Sequence, residues 1–216
     1  SRSGPFTYSQ EKSGAINFWV PDVPSGCKVP VVHLANGTTA TCSMYATAIW
    51  RLASHGFLTA CYENTNTGAG AYGLQAFERA LEEYPDLADY KFGSTGHSQG
   101  GQASIVTLAL AEAKWGTSAI YAGLAMEPAS GFGDQPTGQT WQQAYAKVRS
   151  PVFMFSGASA LGFANSLLLG MSTGDGLVAI SWVDEGFEAL SPDIEAYHWT
   201  AVGATHIPVP NGEIGR

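Results

Sequence analysis

Apolar positions along the chain change their period several times, and each change marks a passage between strand and helix. "VPVVHLA" (29–35) is a near-continuous apolar run bounded by "PSGCK" and "NGTT", the pattern of a strand covered on both faces. "SMYATAIWRLASHG" (43–56) instead sets Met44, Ala48, Ile49 and Leu52 at helical spacing and stops at Gly56, which suits the left-handed position after a helix. The alternation continues with strand "FLTACYE" (57–63), an amphipathic helix over 71–85 carrying Leu74, Phe77 and Leu81 on one side, strand "YKFGSTG" (90–96) and a long apolar helix over 98–116. Two more buried strands (119–127 and 150–158), a helix (181–192) and a last strand (196–205) follow, while β-rich "AINFWVP" (15–21) precedes them all. Strands alternating with helices predict an α/β fold: an open, mostly parallel twisted sheet with helices on both faces. No internal repeat or linker interrupts the pattern, so residues 1–216 are expected to form a single domain.

Composition narrows the function. Lys and Arg total 10 against 18 Asp and Glu, a net charge of -8 without any basic stripe, which argues against nucleic acid as a partner. No run approaches the roughly 18 apolar residues of a membrane span. The first residues, "SRSGPFTYSQ", lack the charged-then-apolar pattern of a signal peptide. Light charge with much Gly, Ser, Thr and Ala fits the mature form of a secreted or periplasmic protein, expected to be a monomer. The cysteines are Cys27, Cys42 and Cys61; without a C-x-x-C or a histidine at zinc-finger spacing, metal binding is weakly supported and no cofactor is expected. Either all three are buried thiols or two form a disulfide with one left over.

"GHSQGG" (96–101) carries the chemistry. It stands where the strand ending at 96 becomes the helix beginning at 98. A turn that sharp lifts a side chain above the sheet, with strained dihedrals at the serine and no neighbouring side chains. Gly96 and Gly100 supply that room, the G-x-S-x-G arrangement of a nucleophile elbow. Ser98 is therefore the candidate nucleophile rather than part of a packing turn. A serine hydroxyl needs a base to take its proton and an acid to orient that base. Of five histidines, His33 lies within an early strand as a satisfied core residue, His55 sits beside a helix-ending glycine, His97 is part of the elbow, and His198 lies on the last strand. His206, in "VGATHIPVP", follows that strand at the edge where strand C-termini converge, and is the candidate base. For the acid, Asp175, opening "DGLVAISW", is favoured over a plain helix-cap reading. Glu127 in "AMEPAS" is the rival, with Asp134 and Asp184 more distant choices. The oxyanion is expected to meet the backbone N–H groups of Gln99, after the nucleophile, and Thr38, in the loop "HLANGTTA". Asn36-Gly37-Thr38 is also a glycosylation sequon, discounted because a glycan there would block the site.

These residues resemble the α/β-hydrolase superfamily, and within it the compact polyester hydrolases: cutinase-like and poly(ethylene terephthalate) hydrolases, with dienelactone hydrolases and chlorophyllases as cousins. The similarity spans about 29–207 through "HLANGTTA", "RLASHGFLTACYENTNTGAG", "GHSQGGQAS", "DGLVAISWV" and "GATHIPVP". It implies an α/β-hydrolase fold and a cofactor-free serine esterase acting through an acyl-enzyme on hydrophobic, small or polymeric esters. It also implies Asp175 as the acid. Thr38 and Ala129 stand where relatives often carry the two aromatics of a clamp, which argues against efficient cleavage of aromatic polyesters. Leu167, Leu168 and Leu169 would form either an acyl-binding wall or a packed surface helix, and Trp182, Trp199 and Phe163 are conceivable substrate contacts. On this map Cys42 follows the oxyanion loop and Cys61 ends the adjacent strand, so Cys42–Cys61 is the favoured disulfide and Cys27 the odd one. The alternatives are an acyltransferase with the same triad and a non-catalytic binding protein of the same fold.

Overall fold

The computed structural model describes residues 3–64, 67, 69–131, 133–158, 178 and 180–202. In chain order these form β1 (Tyr8–Ser13), β2 (Ile16–Pro21), β3 (Val29–Ala35), a 3-10 turn (Cys42–Tyr45), α1 (Ala46–Ser54), β4 (Leu58–Tyr62) and α2 (Ala71–Glu83). β5 (Ala88–His97), α3 (Gln99–Trp115), a short 3-10 turn (Thr117–Ala119), β6 (Ile120–Met126), α4 (Trp141–Tyr145), β7 (Val152–Ala158), α5 (Ile180–Glu188) and β8 (Ala196–Val202) follow. The eight strands make one sheet in the order β1-β2-β4-β3-β5-β6-β7-β8. β2 pairs antiparallel with both β1 and β4, and β4, β3, β5, β6, β7 and β8 pair in parallel. The predicted α/β class with a mostly parallel sheet is the one observed.

Connection handedness explains where the helices lie. From β3 the chain first steps outward to β4, then returns past β3 to β5 and continues in the opposite direction. Right-handed crossovers then place the first connecting helix, α1, on one face and the later ones on the other. The packing agrees: Ile49 and Ala53 of α1 join Trp19, Leu34, Cys42, Tyr45 and Cys61 in a small core. The larger core gathers Phe77 of α2, Ile105 and Leu108 of α3, Trp141 and Tyr145 around α4, and Val183 of α5. Helices therefore cover both faces, but unequally. On the α1 side a cavity of about 1020 Å³ opens between Leu52, Phe57, Tyr121, Leu124, Met126 and Phe153.

Differences from the sequence reading have local causes. β1, "YSQEKS", is exposed along most of its length, so it has no apolar alternation to betray it; a turn at Gly14, with φ of 59°, pairs it with β2. The predicted 43–56 helix begins as a 3-10 turn, and Met44 is 55% exposed rather than part of its apolar face. The five-residue α4 is too short for periodicity, yet it carries a full capping box between Thr140 and Gln143. Gly56 has φ of 89° and ends α1 as expected.

Candidate active site

The winding direction reverses between β3 and β5, and the C-terminal strand ends at such a reversal are where ligands enter open α/β sheets. Ser98 stands there, between the last residue of β5 and the first of α3. Its φ of 59° and ψ of -124° lie far from helix or strand. Gly96 and Gly100 make the bend possible: a Cβ at Gly96 would sit 2.0 Å from the Gly100 carbonyl oxygen, and one at Gly100 would sit 2.1 Å from that of Ala35. Any side chain would push α3 off the end of β3. The elbow is further tied to β6, with Ser98 N–H donating to the Met126 carbonyl at 2.9 Å and Ala129 N–H to the Ser98 carbonyl at 3.0 Å.

Thr39 (φ 60°), Ser98 (φ 59°) and Glu127 (φ 48°) are the non-glycine residues with left-handed backbone among those described. They come from three different segments, after β3, β5 and β6, all at the C-terminal edge of the sheet. Such conformations persist only where the surroundings over-determine them.

The loop after β3 is held from several directions. The Asn36 amide is buried and donates to the Ala40 carbonyl at 2.6 Å and also to the Asn64 carbonyl, so the sequon asparagine is inaccessible to a glycan. The Asn36–Gly37 peptide is gripped on both edges: the Thr67 hydroxyl donates to the Asn36 carbonyl at 2.8 Å, and the Gly37 N–H donates to the Tyr45 hydroxyl at 2.8 Å. A Cβ on Gly37 would lie 3.3 Å from the Ser98 Cβ, which brings this loop directly against the serine. Thr38 and Gln99 meet as well, the Thr38 hydroxyl donating to the Gln99 side-chain carbonyl at 3.0 Å.

Ser98, Thr38, Gln99 and Glu127 thus come together. Asp175, His206, Phe163 and Leu167 to Leu169 lie outside the described residues. Glu127 is fully buried, with an oxygen 3.4 Å from His97 Nε2. Asp134 approaches through its backbone carbonyl, which accepts from Gln102 Nε2 at 3.1 Å. Asp184 stands 3.3 Å from His198 on the α5 side. Trp199 is 69% exposed and packs edge-on against Phe155; Trp182 packs partly buried against the larger core.

Cys42 and Cys61 form a disulfide, with Cys27 exposed and unbridged, so the alternative of three buried thiols is overturned. The bridge fastens the 3-10 turn that carries Tyr45 to β4. His33 requires another correction. It is buried, but neither ring nitrogen has a hydrogen-bond partner among the described residues, so it is not a satisfied core histidine. Desolvation holds its imidazole down at about 3. Tyr45 and His97 meet Gly37 and Glu127, a placement with no sequence signal because these neighbours are distant in the chain. Among the described residues no cluster of His, Cys, Asp or Glu could hold a metal ion, and no helix is long and apolar enough to cross a membrane.

A scan against protein-family models finds no match, and a search of curated proteins finds no significant relative.

Proposed function

We propose that this chain is a cofactor-free serine carboxylic-ester hydrolase of the α/β-hydrolase kind. The observation that carries the reading is the strained Ser98 on a strand-to-helix bend, set against the loop after β3 at the sheet's C-terminal edge. Ser98 Oγ attacks the ester carbonyl while His206 takes its proton, and Asp175 orients His206 and stabilises the imidazolium. The developing oxyanion is met by the N–H groups of Gln99 and Thr38. His206 returns the proton to the departing alcohol, and water then hydrolyses the acyl-enzyme by the same steps. The pinned Asn36–Gly37 peptide supports the oxyanion role, because a donor helps only if it is in place before charge develops. Contact of Glu127 with His97 gives that carboxylate a use other than orienting the base, which supports Asp175 as the acid. The disulfide supports an exported protein, since such bonds persist in oxidising compartments. Hydrophobic esters, small or polymeric, are the proposed substrates.

A fluorophosphonate probe with nitrophenyl esters of increasing chain length tests this reading. Wild type should show one mass adduct on Ser98 and ester turnover. Ser98→Ala should lose the adduct and at least about a thousandfold in kcat. No adduct would leave a binding protein, whereas an adduct with mainly transfer to added alcohol would point to an acyltransferase. Asp175→Asn losing far more activity than Glu127→Gln is the outcome expected for the acid.

A further inference from the structure

Three buried polar side chains that the proposed reaction does not use stand in a row behind the loop after β3. Tyr45 is 2% exposed, His97 5% and Glu127 0%. The Tyr45 hydroxyl accepts from Gly37 N–H at 2.8 Å and lies 3.1 Å from His97 Nδ1. His97 Nε2 lies 3.4 Å from Glu127 Oε2. The row therefore joins the residue preceding the nucleophile to the backbone that precedes Thr38.

One His97 tautomer fits these contacts. In the neutral tautomer with the proton on Nε2, that N–H faces the Glu127 carboxyl. That leaves a lone pair on Nδ1, and the Tyr45 O–H donates to it. The phenol oxygen keeps its own lone pairs for the Gly37 N–H. Burial pushes the Tyr45 hydroxyl up to about 12 against the opposing effect of the Gly37 bond, so it retains a proton to donate at neutral pH. The Gly37–Tyr45 and Tyr45–His97 bonds then point the same way, and such chains polarise one another in a low-dielectric interior.

We propose that Glu127, His97 and Tyr45 are positioning residues: a relay in which Glu127 sets the His97 tautomer and the His97–Tyr45 hydrogen bond fixes the Asn36–Gly37 peptide, so that the following N–H, Thr38, is aimed at the oxyanion. This inference rests on the serine-hydrolase reading and deepens it. The Thr67 hydroxyl on the Asn36 carbonyl holds the opposite edge of the same peptide, so the relay completes a two-sided clamp. Little slack exists, because a Cβ on Gly37 would already approach the Tyr45 hydroxyl at 3.0 Å and the His97 carbonyl at 3.2 Å. The left-handed φ of 48° at Glu127 is accounted for as well, since the bend after β6 brings its carboxylate back towards His97.

Tyr45→Phe tests the relay, because it keeps the ring and removes the acceptor of Gly37 N–H. A complete oxyanion donor is worth about 10²–10³ in kcat, and a misaimed one should cost about 10- to 100-fold on a soluble nitrophenyl ester. KM should stay within about twofold, while affinity for a boronic acid that mimics the tetrahedral intermediate falls with kcat. An unchanged kcat, or a loss confined to KM, would overturn the proposal. Nitrogen NMR of the His97 ring in wild type gives a readout independent of turnover and of whether Tyr45→Phe folds. Protonated Nε2 with unprotonated Nδ1 is expected, and a protonated Nδ1 overturns the relay. Glu127→Gln inactive beside an active Asp175→Asn would make Glu127 the triad acid and also overturn it. A wild type that hydrolyses no ester and ignores the fluorophosphonate removes the enzyme reading, while the ring nitrogens still decide the hydrogen-bond row.

Discussion

His33 shows what a single buried side chain costs. It sits in β3, edge-on to Phe77 with ring centroids 6.3 Å apart, and α2 closes on it through Gly73, where a Cβ would lie 2.7 Å from Nδ1. Folded, its imidazole binds a proton only near pH 3, against 6.5 for the free side chain. Between those limits the unfolded chain binds the extra proton, so stability falls as pH falls, by about 1.4 kcal/mol for each unit below the upper limit. Urea unfolding of wild type and His33→Leu at pH 7 and pH 5 checks this: wild type should lose about 2 kcal/mol more than the variant. Equal losses would mean that His33 is protonated in the fold. Gly100 gives a second prediction of this kind. Because its added Cβ would strike the Ala35 carbonyl carbon and oxygen at 2.6 and 2.1 Å, Gly100→Ala should cost more than about 2 kcal/mol, read from the urea midpoint. These glycines were legible as an elbow from their spacing around Ser98. The clash partner was not, since Ala35 lies far from Gly100 in the chain.

Among the elements, the turn leading into α1 does the most for the site with the least sequence signal. Residues 43–56 have helical periodicity, but the first turn winds as a 3-10 helix. Its orientation is set by the Cys42–Cys61 bridge and by the Cys42 N–H, which donates to both Glu63 carboxylate oxygens at 3.2 and 3.3 Å. That turn delivers Tyr45 to Gly37. The bridge closes a sequence separation of 19, for which loop entropy gives about 3 kcal/mol. Paired Cys42→Ser and Cys61→Ser should lower the thermal midpoint by roughly 6–12 °C. A thiol assay on denatured, unreduced protein should count one free thiol, Cys27; three would refute the bridge. The pairing could be chosen from topology before any coordinates, because both cysteines fall towards the same edge of predicted neighbouring strands. β1 and α4 escaped notice for the opposite reason: one is a solvated edge strand and the other too short to show a period.

The described residues form two unequal cores, and they should not melt alike. The larger packs α2, α3, α4 and α5 on one side of the sheet. The smaller holds α1, the disulfide and Tyr45 on the other, beside the open apolar cavity that reaches Phe153. Phe153 and Tyr197 stack across β7 and β8 at 4.9 Å with both rings substantially exposed. Local opening follows the least buried surface, so hydrogen exchange after reduction of the disulfide should rise first in α1 and the 36–45 segment, with α3 protected longest. Simultaneous exchange in α1 and α3 would show a single cooperative unit instead.

The order of periods along the chain sufficed to predict the α/β class, the parallel strands and the serine at the bend, because these follow from local patterning and short-range sterics. Which face each helix covers, the burial of His33 with no hydrogen-bond partner among the described residues and the meeting of Tyr45, His97, Glu127 and Gly37 were decided only when the chain folded. Each depends on segments that are remote in sequence and become neighbours through sheet order. Periodicity records what a segment must bury, but not what it will touch.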